Sequence, residues 1–130
     1  NPSLVIDNNL QIGTASSLQA TFAPCLVSGA PHQTDEIETS ANGQSNFSVS
    51  FNYGLYKLNA TLTGITFSNS IQNADPQFML IDGSRNQYDF SLQSVSPAVN
   101  AATPDAVTTD ILGQLRDTQK PTIGCYEFKN

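Results

Sequence analysis

Short apolar or alternating runs dominate the chain, and Gly, Asn, Asp, Ser and Pro separate them. This pattern is typical of β-strands joined by turns. No segment keeps the 3.6-residue period of an amphipathic helix, and the best short candidate, Thr108–Leu115, is interrupted by Gly113. The sequence therefore predicts an all-β fold. The predicted strands are Leu4–Ile6, Leu10–Ile12, Leu18–Phe22, Leu26–Val27, Phe47–Phe51, Leu55–Leu62, Ile65–Phe67, Phe78–Ile81, Tyr88–Leu92 and Ile123–Phe128.

Three of these runs share a degenerate repeat: a hydroxyl residue, Phe, two variable residues, a small residue, and then Leu or Ile. The repeats are Thr21–Leu26, Ser50–Leu55 and Thr66–Ile71, and their spacing is uneven. Similar strands with connections of different length suit a solenoid in which inward side chains stack on their equivalents in the next coil. An antiparallel β-sandwich also suits the repeat, because strands resemble one another in any sheet. The repeat alone leaves both folds open.

Charge is scarce along the chain. Of 130 residues, 5 are Lys or Arg and 11 are Asp or Glu, so the charged fraction is about half the usual quarter. A net charge of −6 argues against a nucleic-acid partner, because phosphate-backbone binders need clustered Lys and Arg. The apolar fraction of 38% is too high for simple disorder. No apolar run approaches the ~18 residues of a membrane span. The abundant Asn, Gln, Ser and Thr predict a secreted or cell-surface protein.

Candidate metal ligands are few. Cys25 and Cys125 each lie in an apolar context, and neither has the spacing of a metal site. They either form a disulfide that closes a long loop or remain as buried thiols, and the sequence leaves both open. Asp82–Asn86 superficially resembles a calcium loop, but it lacks the alternating acids and the closing Glu. We therefore predict a turn there, and no metal or cofactor.

From residue 73 onward the motifs become specific. An Asp-Pro-x-Phe segment leads to a strand that ends in Leu, and a Ser-Pro-Ala-Val-Asn segment follows. An Asp-x-x-Gly-x-x-Arg segment comes next, before the closing Ile-Gly-Cys-Tyr-Glu. In this order the motifs resemble the C-terminal end of right-handed parallel β-helix (pectate-lyase-like) surface proteins of the Bacteroidetes type. The resemblance covers less than half of the chain, and Ala101-Ala102 departs from it, because the family usually has a Gly nearby.

The resemblance implies a right-handed parallel β-helix with an irregular C-terminal cap. Residues 1–72 would form about three coils with an excursion loop at 30–46, and residues 73–130 would form the cap. So short a stack leaves its N-terminal end open. The chain is therefore expected to be a C-terminal fragment, or to pack there against the upstream part of its own protein or another chain. A lipid anchor at a missing N-terminus would hold such a protein at the cell surface.

The same resemblance assigns structural roles to nine cap residues. Asp110 is expected to pair with Arg116 across the Gly113 turn and so to hold the cap loop. Prolines at the start of two segments fix φ and favour extended geometry. The nine residues are Asp75, Pro76, Phe78, Pro97, Asp110, Gly113, Arg116, Gly124 and Tyr126.

The densest acidic cluster is Asp35, Glu36 and Glu38, within the polar stretch 30–46. Glycoside hydrolases use a pair of carboxylates, but three acids in one polar loop are more often solvated charge. His32 is the sole histidine, and a loop histidine is more often structural than a general base. No G-x-S-x-G motif surrounds any Ser. We therefore predict no catalytic residue.

Three tyrosines, Tyr53, Tyr56 and Tyr88, are the candidate binding residues, because exposed aromatic rings stack on the apolar faces of sugars. We expect a non-catalytic C-terminal segment of a secreted or cell-surface β-helix protein, which acts as a scaffold or binds polysaccharide or a partner chain. The alternative is the C-terminal part of a polysaccharide lyase or glycoside hydrolase whose active site lies mostly upstream. Convergence of the 35–38 acids with Lys57 or Arg85 in one groove would favour the enzyme.

Overall fold

The computed structural model describes residues 2–8, 16–29, 33–41, 43, 45–104 and 107–129. Within these ranges there is no helix, and the predicted all-β fold is confirmed. No long apolar helix of the kind that crosses a membrane is found in the described part. The strands are β1 (Leu4–Asp7), β2 (Leu18–Phe22), β3 (Leu26–Val27), β4 (Ile37–Ser40), β5 (Phe47–Asn52), β6 (Leu55–Tyr56), β7 (Ile65–Ser68), β8 (Ile71–Gln72), β9 (Phe78–Asp82) and β10 (Gln87–Leu92).

The chain divides into two compact units, Asn1–Asn73 and Ala74–Asn130, called unit 1 and unit 2 below. Unit 1 contains β1–β8, and its strand pairs are parallel. Unit 2 contains β9 and β10, which form an antiparallel hairpin. The two units therefore follow different rules of strand pairing.

Two three-stranded parallel sheets in unit 1 run in the same order. One sheet is β2-β5-β7 and the other is β3-β6-β8. In the first, Phe22 lies beside Phe51 and Phe51 beside Phe67; in the second, Leu26 lies beside Leu55. Each sequence repeat thus contributes one strand to each sheet. Because these pairs are parallel, the alternative of an antiparallel sandwich is wrong for unit 1.

Strand β4 lies inside the stretch predicted to be an excursion loop, residues 30–46, and corrects that prediction. It pairs in parallel with β1, where Ile37 lies opposite Leu4. Ile37 is only 1% exposed, and it packs in the same core cluster as Ile6. Polar residues on both sides of Ile37 hid this strand, because one buried side chain gives no visible alternation.

Strand β6 is shorter than predicted, and strand β8 was not predicted. The predicted strand Leu55–Leu62 ends at Tyr56, and beyond it the N–H of Leu58 donates to Asn73 Oδ1 (2.8 Å) instead of a strand ladder. Strand β8 is two residues long, too short for a pattern to indicate. The predicted strand Leu10–Ile12 lies outside the described residues.

A column of aromatic rings forms the centre of unit 1. The ring centroids of Phe22 and Phe51 are 4.6 Å apart, with planes 8° from parallel. Phe67 continues the column 5.3 Å from Phe51, and Tyr56 stacks on Phe67 at 4.3 Å. Each such pair contributes ~0.5–1.5 kcal/mol beyond its buried area. The buried residues of the core cluster in unit 1 are Ile6, Ile37, Val49, Phe51, Tyr56 and Leu58.

Polar side chains also meet their equivalents in neighbouring strands. The hydroxyl oxygens of Thr21 and Ser50 are 3.0 Å apart and share a hydrogen bond. The hydroxyl of Ser68 donates to Asn52 Oδ1 on the adjacent strand. Neutral hydroxyl and amide groups at equivalent positions of adjacent strands can form hydrogen bonds, whereas like charges at those positions would repel one another. The low charge of the sequence thus suits the parallel pairing.

The corners between sheets repeat as well. Tyr53, after β5, and Asn69, after β7, both take left-handed backbone angles, with φ of 57° and 50°. The N–H of Gly54 donates to Ser70 Oγ (3.1 Å) and joins one corner to the next. The chain therefore changes direction at equivalent positions in successive repeats.

Unit 2 begins with the β9–β10 hairpin. Ile81 lies directly opposite Tyr88 across the pair, and the register shifts between Asp89 and Leu92. Asp82 Oδ1 accepts the N–H groups of Ser84 (3.0 Å) and Arg85 (3.1 Å). Asp82–Asn86 is therefore a hairpin turn, and the Asp82 carboxylate at its start stabilises the turn by accepting these backbone N–H groups.

The closing segment of unit 2 is irregular, so the predicted strand Ile123–Phe128 is wrong. Ile123 is fully buried, and its N–H donates to the carbonyl of Ala98 (2.9 Å). Two later N–H groups donate to side chains instead of a strand: that of Glu127 to Asp110 Oδ2 (3.1 Å) and that of Phe128 to Thr122 Oγ1 (3.2 Å). The closing segment therefore has the apolar pattern of a strand because side chains such as Ile123 are buried, although it pairs with no strand in the described part of the chain.

The weak helix candidate Thr108–Leu115 forms no helix. Thr109 and Leu115 form an isolated antiparallel bridge, and Gly113 turns the chain between them with φ of 76°. Leu115 is 70% exposed, so this loop lacks the buried face that stabilises a short helix.

Candidate functional site

The strongest candidate surface is one side of the hairpin in unit 2. We call the side chains of Ile81, Tyr88 and Phe90 the hairpin platform. They are 48%, 51% and 46% exposed. The rings of Tyr88 and Phe90 lie 7° from parallel with centroids 6.0 Å apart, and Phe78 supports Phe90 edge-on at 5.3 Å. The platform is exposed and largely aromatic, which suits stacking on a sugar ring.

Of the three predicted binding tyrosines, only Tyr88 belongs to this platform. Tyr56 is 4% exposed and stacks on Phe67 in the core of unit 1, so its prediction as an exposed binding residue is wrong. Burial also raises the pKa of the Tyr56 hydroxyl. Tyr53 is half-buried at the left-handed corner after β5. Sequence spacing did not separate inward from outward tyrosines, because short strands carry few alternating positions.

Unit 2 also has an open cavity of about 340 Å³. One wall comes from the hairpin, a second from the loop around Gly113, and a third from the closing segment. The lining residues are Met79, Asp89, Ser91, Leu92, Asp110, Leu112, Gln114, Tyr126, Glu127, Phe128 and Lys129.

Asp89 supplies a charged group on the hairpin wall of this cavity. Its Oδ1 accepts both the hydroxyl (2.5 Å) and the N–H (2.9 Å) of Ser91. The hydroxyl bond, with the N–H bond second, lowers the pKa of the Asp89 carboxyl. Asp89 is therefore ionised at neutral pH, with one oxygen held by Ser91.

Asp110 is buried and holds three backbone donors. Its Oδ1 accepts the N–H groups of Leu112 (2.9 Å) and Gln114 (2.9 Å), and its Oδ2 accepts that of Glu127 (3.1 Å). Burial raises the pKa of the Asp110 carboxyl, but these donors and the Arg116 guanidinium outweigh it and leave the pKa lowered. The carboxylate thus ties the Gly113 loop to the closing segment.

Arg116 pairs with Glu127, which corrects the expected pair with Asp110. The distance from Arg116 Nη1 to Glu127 Oε2 is 3.4 Å, and both side chains are largely buried. The guanidinium also donates to the carbonyls of Thr122 (3.1 Å) and Gly124 (2.8 Å). We call Asp110, Arg116 and Glu127 the cap network.

Glu127 is the member of the cap network that sequence reasoning missed. Its Oε1 accepts the N–H of Asp117 (3.2 Å) and its Oε2 that of Thr122 (3.0 Å). Its sequence signal was its isolation, because the other two Glu residues lie together at 36 and 38. The bonds of the cap network are structural, and they occupy groups that would otherwise be candidates for acid–base chemistry.

The remaining predicted cap residues lie at turns or on the edges of the same unit. Asp75 Oδ1 accepts the N–H of Gln77 (2.8 Å), which turns with φ of 56°. Pro76 is buried and Pro97 half-buried. Tyr126 is half-buried and lines the cavity. Gly124, with φ of 130°, presents its carbonyl to the Arg116 guanidinium.

The acids at 35–38 have three different environments. Glu36 is fully buried, so the expectation of solvated charge is wrong for it. Its Oε2 accepts the N–H (3.1 Å) and hydroxyl (2.5 Å) of Ser3, while its Oε1 has no partner among the described residues. Gly29 leaves room for this carboxylate, because a Cβ there would overlap it. Glu38 is exposed on β4.

Asp35 binds the backbone of the loop that follows β6. Its Oδ1 accepts the N–H groups of Asn59 (2.6 Å) and Ala60 (2.9 Å). The Ala60 bond, followed by the Asn59 bond, lowers the pKa of the Asp35 carboxyl. Asp35 is thus a structural link between the segment before β4 and the segment after β6.

The basic residues named with these acids are Lys57 in unit 1 and Arg85 in unit 2. Arg85 pairs with Asp82 at 3.6 Å on the hairpin turn of unit 2, and its side chain is 75% exposed. The carbonyl of Lys57 accepts the N–H of Glu36 (2.9 Å). Among the described side chains, no three of the His, Cys, Asp or Glu type lie close enough to hold a metal. His32 lies outside the described residues.

Neither cysteine forms a disulfide in the structure. Cys25 is half-buried in unit 1, and Cys125 is exposed in unit 2. The disulfide alternative is therefore not formed, and the alternative of two buried thiols is wrong for Cys125.

No family model, curated protein or solved structure matches the chain. Its function therefore has to be inferred from its own residues.

Proposed function

We propose that the chain is a non-catalytic segment of a secreted or cell-surface protein with a right-handed parallel β-helix. In this proposal unit 1 is the scaffold of stacked coils, and unit 2 is its C-terminal cap. The hairpin platform on the cap binds neutral polysaccharide. The observation that carries the binding role is the exposed, near-parallel pair of rings at Tyr88 and Phe90.

Support for the coils comes from the repeated order of the two parallel sheets in unit 1. Equivalent residues stack on one another in the core, in the polar rows and at the corners. A coil that contacts only its neighbours in this way is the building unit of a solenoid.

Support for the cap comes from unit 2, where irregular backbone is held by buried side chains. Asp110 and Glu127 satisfy backbone N–H groups that no strand partner reaches. The end of a solenoid exposes core and unpaired backbone, so a polar-bonded segment suits that position.

The non-catalytic proposal is favoured over catalysis by the carboxylates of this chain. Asp35 and Asp110 are committed to backbone donors, and Glu127 is committed to donors and to Arg116. These groups therefore lack the free geometry of an acid and base that flank a scissile bond.

The choice of a neutral polysaccharide follows from charge. The chain carries a net charge of −6, and ionised Asp89 lies on the same hairpin as the platform. Repulsion disfavours polyuronates and sulfated glycans, whereas ring stacking needs no charge.

The test is affinity electrophoresis of the purified chain in gels that contain neutral or acidic polysaccharides. We expect retardation by a neutral polysaccharide, and Tyr88→Ala should weaken it by roughly tenfold, because one stacked ring is lost. Val95→Ala is the matched control, since Val95 is exposed (74%) and lies outside the platform.

Two results would overturn the proposal. One is retardation that is unchanged in Tyr88→Ala, or that is seen only with acidic polysaccharides. The other is release of new reducing ends or unsaturated products from a bound polysaccharide, which would make the chain an enzyme.

A further inference from the structure

We propose that β9 pairs with β9 of a second copy of the chain, antiparallel and in register about Leu80. The two hairpins would then form one four-stranded sheet, with two strands from each copy. This inference concerns the edge of the hairpin, and it does not depend on polysaccharide binding to its face.

The outer edge of β9 has no strand partner in the described part of the chain. The sheet of unit 2 contains β9 and β10 only, and β9 bonds to β10 on one side. A strand edge presents a row of N–H and C=O groups that another strand can bond. A two-stranded hairpin is marginally stable by itself, and further strands stabilise it.

The side chains of β9 favour pairing. Met79, Leu80 and Ile81 follow one another and are 55%, 44% and 48% exposed. The strand has no charge before its last residue, no Pro and no Gly. Short segments of this kind pair readily when their edge is open.

The other edge of the hairpin is protected. Strand β10 has ionised Asp89 near its centre and a register shift between Asp89 and Leu92. Charges and bulges on an edge strand discourage pairing with another chain. The hairpin therefore has one protected edge and one open edge.

Charge also selects the direction and register of pairing. In the antiparallel arrangement centred on Leu80, Met79 of one copy faces Ile81 of the other. Asp82 then faces Phe78, so the two Asp82 carboxylates lie at opposite ends. Parallel in-register pairing would place them side by side, and like charges directly opposite are destabilising.

The size of the edge predicts a reversible dimer. An edge of five residues covers less than the ~800 Å² per partner of a standard stable interface. A second copy is nevertheless the best occupant, because the antiparallel register places apolar residues opposite apolar residues and keeps the two Asp82 carboxylates apart.

The first experiment is sedimentation equilibrium of the complete chain over a range of concentrations. We expect a monomer–dimer equilibrium, and Leu80→Lys should weaken it by roughly tenfold or more, because two ammonium groups would meet on the two-fold axis. Val95→Lys adds the same charge at an exposed site off the sheet, and it should leave the equilibrium unchanged. A chain that remains monomeric at millimolar concentration, or a dimer that survives Leu80→Lys, would overturn the proposal.

Mixing separates an effect on pairing from an effect on folding. Leu80→Lys and Leu80→Glu should each be monomeric alone, and an equimolar mixture should recover a heterodimer, since opposite charges then face each other. A mixture that stays monomeric would count against the proposed register.

Cross-linking tests the register directly. In a Cys25→Ser and Cys125→Ser background, Leu80→Cys should oxidise to a disulfide-linked dimer, because directly opposite Cβ atoms lie ~4.5–5.5 Å apart. Ile81→Cys should cross-link with Met79→Cys in a mixture much faster than with itself. Val95→Cys reports the rate of random collision, and equal rates for all variants would contradict the pairing.

Discussion

Glu127 links several segments of unit 2, and no motif of the sequence predicted this role. It accepts two backbone N–H groups and pairs with Arg116, which itself binds two carbonyls. The sequence predicted Asp110 and Arg116 as partners because they flank a turn. It did not indicate Glu127, because a side chain that reaches across irregular loops leaves no periodic signal.

Removal of Glu127 should be strongly destabilising. We expect Glu127→Ala to lower the free energy of unfolding by ~3 kcal/mol, because it leaves a largely buried guanidinium without its carboxylate. Glu127→Gln, which keeps one acceptor oxygen, replaces the other with a donor NH2 and removes the charge, should cost less. Urea denaturation measures both.

The matched control is the exposed ion pair on the same unit. The side chain of Arg85 is 75% exposed, and it pairs with Asp82. Arg85→Ala removes this pair and should lower the free energy of unfolding by less than ~1 kcal/mol. Equal losses for Glu127→Ala and Arg85→Ala would show that the cap network does not hold unit 2.

At the scale of elements, the regular parts of the chain were the predictable parts. Strands such as β2 and β5 alternate over several residues, so their sequence shows them. Strand β4 escaped because only Ile37 is apolar in it, and β8 because it has two residues. The closing segment gave the opposite error, since buried Ile123 lies in irregular backbone.

The approach of β7 to β5 requires a glycine. Gly64 has φ of 76°, and a Cβ there would lie 2.6 Å from the ring of Phe47 and 2.9 Å from its carbonyl oxygen. Gly64→Ala should therefore cost ~3 kcal/mol, from backbone strain and from overpacking. Thermal and urea unfolding measure the loss.

Gly43, in the same unit, allows the effect of backbone strain to be measured without that of overpacking. Its φ is 71°, but no atom of the described residues lies within 4 Å of the added Cβ. Gly43→Ala should show the strain alone, at ~1 kcal/mol. If both substitutions cost the same, contact with Phe47 has no role in closing β7 onto β5.

At the scale of the whole molecule, the predictable features were those that depend on composition and pairing type. All-β structure followed from the strand-and-turn pattern, and the repeat of Phe22, Phe51 and Phe67 indicated equivalent strands. The site was less predictable. Tyr56 and Tyr88 look alike in sequence, but one lies in a ring column and the other on an exposed hairpin.

Acid should destabilise the molecule through its aspartates. Several have pKa values lowered from the ordinary 3.8 by hydrogen bonds that the folded state provides. A lowered folded pKa contributes stability above the unfolded pKa, and this contribution is lost as pH falls through the folded pKa. These residues are Asp35, Asp82, Asp89, Asp110 and Asp117.

Thermal unfolding over decreasing pH checks this expectation. The melting temperature should fall below about pH 3.9, and Asp110→Asn should make that fall shallower, since one of the contributing carboxylates is gone. A melting temperature that rises on acidification would contradict it, and would point instead to relief of repulsion at a net charge of −6.

The ring pair of Tyr88 and Phe90 has a consequence for long ligands. An antiparallel dimer of hairpins has its two-fold axis normal to the sheet, so both ring pairs would face the same side. A polymer of repeated sugars would then meet two stacking sites at once, and its second contact would be intramolecular. Such a protein would hold short oligosaccharides weakly and long chains well, and it would sort glycans by their length.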